Sequence, residues 1–224
     1  MATDTPARPS AFQRPGRVRN GVDFGLMYAA HDAFLRDLDR LAAAVAAGRA
    51  FTAGTRTGWQ VFTRQLHVHH TAEDTALWPA LRTRVTSEPA RQVLDRMERE
   101  HAAIDPLLSA VDTALHRADP ARAASTTTEL TGVLAAHLRH EETHALPLVA
   151  EHLGNAGWAA FGRELRREHG VRGGSEFIPW MLDGTRGEER AQLLALLPPP
   201  VRILYRTVFR RRYERTTGWT AAAV

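Results

Sequence analysis

One stretch of this chain occurs twice, and the duplication constrains the fold more than any other feature. His69, Glu73 and Pro79 recur as His137, Glu141 and Pro147, with the carboxylate four and the proline ten residues after the histidine in both copies. A lone histidine precedes each copy, His31 by 38 residues and His101 by 36, and Met27 and Met97 stand four before each lone histidine. A histidine and a glutamate four apart share one face of a helix. Such faces converge when four segments pack as a bundle, which is how buried metal sites in helix bundles are built.

Apolar spacing supplies the four segments. Phe24, Met27, Phe34, Leu38, Leu41 and Val45 recur at helical intervals, so a first helix is expected over about residues 23–47. A second is expected over roughly 57–85, with Trp59, Phe62, Leu66, His69, Glu73 and Leu77 on one stripe. Ser87 with Pro89, and Asp119 with Pro120, are start signals for a third and a fourth helix, the last reaching about Leu153. Short connections make consecutive helices antiparallel neighbours. The fold class expected is all-α, an antiparallel up-down four-helix bundle over residues 22–153. A disordered arm over 1–21, rich in Pro and Gly, precedes it, and a helical extension over 154–224 follows. Pro79, Pro106 and Pro147 fall inside helices, each at a cost of about 3 kcal/mol in an ordinary helix interior. The apolar period continues past Pro79 and Pro147, so they are read as matched kinks rather than helix ends.

Within the extension, short helices are expected over 158–168 and 187–197. Pro179-Trp180-Met181-Leu182 is read as a cover for the open end of the bundle or a dimer surface. A last helix over 201–213 places Leu204, Tyr205, Val208 and Phe209 on one side and Arg202, Arg206 and Arg210 on the other. Two readings apply to it: a helix lying on an anionic membrane or nucleic acid, and a helix packed on the bundle with its arginines in water. The second is the default, and nothing resembles a nucleic-acid-binding module, so no nucleic-acid partner is expected.

Composition narrows the chemistry. The absence of cysteine removes disulfides, zinc–thiolate sites, iron–sulfur ligation and cysteine nucleophiles together. The net charge of +4 is carried by arginine alone, with no lysine, and coding bias explains that more simply than phosphate binding. The first residues lack the apolar core of a signal peptide, and no window reaches the 18 or so apolar residues of a membrane span. A cytoplasmic location is expected.

The candidate metal ligands are His31, His69, Glu73, His101, His137 and Glu141, two histidines and one glutamate from each half. Imidazole with carboxylate suits iron, manganese or zinc more than calcium or magnesium. Six side chains exceed one tetrahedral ion and suit two octahedral ions. The internal symmetry assigns His31 and His69 to one, His101 and His137 to the other, with Glu73 and Glu141 bridging. His70 with Asp74, and His140 with His144, are competing frames. Adopting His140 and His144 would break the match with His69 and Glu73, so His70, His140 and His144 are placed outside the six, as outer partners or surface groups, with a role as additional ligands left open. Tyr28 is assigned to core packing ahead of hydrogen bonding to a bound ligand. Asp74 and Glu142 are read as solvated or as partners of ligand imidazoles.

With these motifs the chain resembles the hemerythrin-like family, the HHE cation-binding domains, over about residues 23–153. The resemblance implies a non-haem centre of two iron ions, although zinc or manganese also fits the ligand set. It implies dioxygen, peroxide or nitric oxide as the small ligand, and the six residues above as ligands. Oxygen-carrying members have a further histidine one turn from the one on the third helix, where this chain has Met97 and Asp105. Asp105 is therefore held as an additional ligand. The site expected is carboxylate-rich and histidine-poor, which favours redox turnover of a peroxidase-like or oxygen-activating kind, iron handling or sensing over reversible dioxygen binding. In a sensor, the extension would transmit the state of the centre.

Overall fold

The structure is a computed structural model, and it describes residues 10–216. Apart from one short hairpin, the fold over these residues is all-α. Helix α1 spans Gly25–Ala46 and α2 Ala53–Ala72. The latter runs through a π-turn at Glu73–Leu77 into α3, Trp78–Arg82. Helix α4 spans Glu88–Arg117. Helix α5, Pro120–His140, runs through a second π-turn at Glu141–Ala145 into α6, Leu146–His152. α1 packs against α2 and α5, and α4 against α5 and α2, which closes a four-helix bundle.

Local chemistry sets the helix ends. Thr52, Ser87 and Asp119 each accept a backbone N–H of the first turn, from Thr55, Ala90 and Arg122. Pro89 and Pro120 occupy the first turns of α4 and α5, where no helical N–H partner is needed. α4 stops where Ala118 turns left-handed, at φ 52°. Phe34, Leu38, Leu41, Phe62, Leu66, Leu94, Met97 and Leu130 are among the side chains that close the core, each at most 1% exposed.

The arm expected to be disordered over 1–21 is structured from residue 10; residues 1–9 lie outside the described residues. A 3₁₀ turn at Ala11–Gln13 and a hairpin of β1, Val18–Arg19, with β2, Val22–Asp23, lead into α1. Ala11 and Val22 are fully buried, and apolar burial holds the arm down. Gly25 is required here, because a Cβ at that position would lie 2.8 Å from the Phe12 ring.

The extension lies on the bundle as far as it is described; residues 217–224 of the expected 154–224 are outside the described residues. Helix α7, Gly154–Leu182, is bent at Gly170, whose φ of 57° and ψ of −173° are not helical. It packs along α2 and the first π-turn. Trp180, Met181 and Leu182 are buried, Trp180 lying 5.0 Å from the Phe34 ring and donating to Asp37 Oδ2 at 2.7 Å. Helices α8, Gly187–Leu196, and α9, Pro199–Leu204, follow. A third π-turn at Tyr205–Phe209 then leads into α10, Arg210–Thr216. The inward face of this last segment differs from expectation. Tyr205 and Tyr213 are buried and Phe209 is half-buried, whereas Leu204 and Val208 are 45% and 50% exposed. The wider π-turn rotates the helix so that its inward residues run at intervals of four, from Val201 to Tyr213.

Candidate metal centre

The two copies of the repeat face each other in the core, and their donor atoms fall into two adjacent groups. His31, His69, Glu73 and Glu141 form one, and His70, His101 and His137 the other, each with its donor atoms within 4.8 Å of one another. Every member is buried, and Glu73 and Glu141 are fully so. α1 supplies His31, α2 supplies His69 and His70, α4 supplies His101, and α5 supplies His137.

Each bridging candidate opens a π-turn. Glu73 and Glu141 are the first residues of the two turns, and Trp78 and Leu146 donate their N–H groups to Glu73 and Glu141. Pro79 and Pro147 follow directly. A proline has no N–H to give and its ring crowds the carbonyl four residues before it. The wider turn relieves that crowding, and the helices continue beyond the prolines.

Within the pocket, His69 Nε2 lies 3.0 Å from Glu73 Oε1, His31 Nε2 lies 3.2 Å from Glu141 Oε2, and His101 Nε2 lies 3.5 Å from Glu73 Oε2. None of these approaches has hydrogen-bond alignment. The Nε2 atoms of all five histidines and both oxygens of both glutamates are buried without a hydrogen-bond partner. Close approach without alignment is how ligands sit around a common ion: neighbouring ligands on an octahedral ion with bonds of about 2.1 Å lie about 3.0 Å apart. Glu73 spans the two groups, one oxygen beside His69 and the other beside His101. Two buried carboxylates without donors cost several kcal/mol each unless a cation offsets them, so the residues present fit a metal centre.

Outer carboxylates fix three of the imidazoles. Glu142, the residue after Glu141, meets His31 Nδ1 at 2.9 Å, and Asp74, the residue after Glu73, meets His101 Nδ1 at 2.9 Å. Each copy of the repeat therefore orients the lone histidine that precedes the other copy. Glu100 meets His137 Nδ1 at 3.0 Å. A carboxylate on Nδ1 holds the proton there and leaves the Nε2 lone pair facing the pocket. The arm contributes as well. Arg14, 9% exposed, donates to Glu142 Oε1 at 2.9 Å and pairs with Asp32.

The charges in the pocket are strongly coupled. Burial works against a charged His31, but Glu141 and Glu142 outweigh it and hold the imidazole up at about 10. Burial, with His31 and His101 nearby, lowers His69 to about 3. Burial and the neighbouring Glu141 push Glu73 well above the usual carboxylate range. Glu141 stays at about 2 because the adjacent imidazoles overcome the effect of its burial. Without a cation, the pocket balances its own charge by retaining protons.

The geometry shows where two residues left open by the sequence lie. His70 lies among the buried donors. It is 8% exposed, stacks on His101 with ring centroids 4.0 Å apart, and presents its Nε2 with those of His101 and His137. Asp105 is exposed, in a small cleft beside His101 with Asp74 and Glu98, and is outside both groups. The histidine-poor, carboxylate-rich site therefore does not form: five imidazoles converge, the fifth coming from the second helix rather than the third. Of the remaining candidates, His140 is half-buried and shares Glu100 with His137, at 3.1 Å. His144 is exposed, bonded to Thr143 Oγ1 at 2.7 Å. Tyr28 is buried, its hydroxyl 3.5 Å from the Gly16 carbonyl and its ring beneath Arg14, turned toward the arm. Glu100 and Arg14 carry no periodic signal in the sequence. Glu100 is marked only by preceding His101, and Arg14 lies in a segment without helical spacing.

His69 also forms part of the wall of an open cavity of about 750 Å³ between α1, α2 and the extension. No helix among the described residues is long and apolar enough to cross a membrane. Neither the curated proteins nor the solved structures yield a match to the chain. A family model does: that of the hemerythrin HHE cation-binding domain matches residues 22–149, from the end of the hairpin to the last turn of the bundle. The chain belongs to the hemerythrin HHE cation-binding family.

Proposed function

We propose that the chain is a non-haem di-iron protein that binds or turns over dioxygen, peroxide or nitric oxide at this pocket. One observation carries the reading: nine buried donor atoms, five imidazole nitrogens and four carboxylate oxygens, lack hydrogen-bond partners. His70, His101 and His137 would hold one ion, His31 and His69 the other, and Glu73 and Glu141 would bridge them. Bound iron would supply the one-electron chemistry that no side chain here can provide. The chain's own part is to orient the imidazoles through Glu142, Asp74 and Glu100, to keep bulk water out, and to take up or give up the protons of His31 and Glu73. The His31 side has two imidazoles against three on the other, and its His69 faces the cavity. A small ligand would reach the centre there.

Iron-loaded protein is expected to accelerate peroxide decay, and Glu73→Ala to remove the acceleration together with the metal. Equal rates for Glu73→Ala and the unaltered protein would overturn the proposal. A sensing role has one observation in its favour, the packing of α7 on the π-turn that begins at Glu73. It requires that metal binding protect residues 154–216 from hydrogen exchange, and identical exchange with and without metal would remove it. Simple iron buffering would require loosely held ions beyond a fixed pair.

A further inference from the structure

The cavity beside His69 has two kinds of surface. Its interior is apolar, walled by Phe34, Trp158, Phe161, Phe177 and Ile178, with the exposed Leu204 at its edge. The inner polar groups Gln65 and His169 satisfy one another, His169 Nε2 meeting Gln65 Oε1 at 2.8 Å, and Gln65 also donates to Glu176 at 3.1 Å. The interior therefore asks nothing polar of an occupant. Among the described residues no aspartate or glutamate lines the cavity, and the charged ones that do are Arg166 and Arg167, both exposed and so at its opening. Arg167 is paired with Glu164 and Glu168, whereas Arg166 has no carboxylate partner among the described residues. The volume, about 750 Å³, lies within the range of sites that enclose small organic molecules.

We propose that this cavity binds a monocarboxylate with a long apolar body, of the fatty-acid type. The carboxylate pairs with Arg166 at the mouth, and the hydrocarbon runs inward past Phe161 and Phe177 toward His69. Charge selects the class. A neutral chain would leave Arg166 unused, and a cationic head would meet that arginine while the nearby acids, Glu164 and Glu168, are already engaged by Arg167. The extension thereby gains a purpose that the bundle alone does not explain, since Trp158, Phe177 and Leu204 all belong to it. That the tail approaches a metal ligand rests on the di-iron reading; the binding itself does not.

The test is titration calorimetry on the full iron-loaded chain with octanoate, decanoate and dodecanoate, each below its micelle-forming concentration, and with decanol. Affinity is expected to tighten about fourfold per added methylene, the equivalent of about 0.8 kcal/mol. Decanoate should bind roughly tenfold tighter than decanol, as expected for one charge-assisted pair. Arg166→Ala should erase that preference, and Leu204→Asp should remove carboxylate binding. Both positions are exposed, so both variants are expected to fold. Absence of binding, affinity independent of chain length, or a carboxylate preference that survives Arg166→Ala would overturn the proposal. Metal counted on the same samples separates the two readings. Two ions without decanoate binding defeats the cavity proposal alone, and decanoate binding without metal defeats the di-iron reading alone.

Discussion

His69 and His70 are adjacent on one helix, yet they face different groups of donors, His69 with His31 and His70 with His101 and His137. Replacing His70 by leucine is therefore expected to lower the metal content from about two ions per chain toward one. Asp105→Asn and His144→Ala should leave it unchanged, as read by elemental analysis after gel filtration; loss of metal in Asp105→Asn would restore the third-helix carboxylate as a ligand. The duplication made six of the seven converging residues legible in the sequence. It concealed the seventh, because Leu138 occupies the position equivalent to His70 and strict two-fold symmetry breaks there. A proton balance follows from the same residues. With its value raised to about 10, His31 is protonated at neutral pH before a cation arrives, and a ligating imidazole must give that proton up. Metal uptake is thus expected to release at least one proton, and affinity to rise with pH by about tenfold per unit per proton released. Calorimetry in buffers of differing ionisation enthalpy measures the number, and a proton-neutral uptake would contradict the charge arrangement described.

The elements that carry these side chains were largely legible because helical periodicity and caps are local. Ser87 and Asp119 start α4 and α5 as their chemistry implies, whereas α2 begins at Ala53, ahead of the expected 57, because Thr52 caps it. The paired prolines signalled a kink, but not that it would take the form of a π-turn beginning at each bridging glutamate. The arm was misread for a physical reason. Its Pro and Gly content describes a chain without helix, and composition says nothing of the docking surface that buries Ala11, Val22 and Arg14. That docking has a consequence at the centre, because Arg14 holds Glu142 and Glu142 holds His31. Arg14→Ala is expected to weaken metal retention, by less than the roughly 10- to 100-fold usual for losing a direct partner of a ligand. Arg14→Lys should lie between, since a lysine offers charge without the two-sided fork that spans Asp32 and Glu142. Competition with a chelator reads the effect, and equal retention in all three proteins would show that the arm only covers the bundle.

Across the whole molecule, the extension is fastened to α1 by ion pairs as well as by apolar burial. Arg36 donates to the Asp183 carbonyl at 2.6 Å, Arg40 to Asp183 Oδ2 at 2.6 Å, and Tyr213 to the same carboxylate at 3.4 Å. Burial alone would raise Asp183, but the Arg40 hydrogen bond and the charges of Arg36 and Arg40 hold it below its ordinary 3.8. A carboxyl lowered on folding contributes stability that is fully present above ~pH 4 and is lost as pH falls through the lower folded value. Asp183→Asn should therefore melt below the unaltered protein by a constant margin above ~pH 4, and the margin should close in more acid solution. A margin unchanged down to pH 2 would deny the ion pair its role. The sequence signalled this contact only as an apolar segment around Trp180, because the arginines and Asp183 that complete it lie about 145 residues apart. The fold, the extension and the arm all converge on one pocket whose buried donors need cations. The most direct measurement is anaerobic reconstitution of the full chain with ferrous iron, with metal counted per chain and the optical spectrum followed on adding dioxygen or peroxide. Two ions per chain and a spectrum that responds to the oxidant are expected; one ion or none, or two that do not respond, would contradict the account.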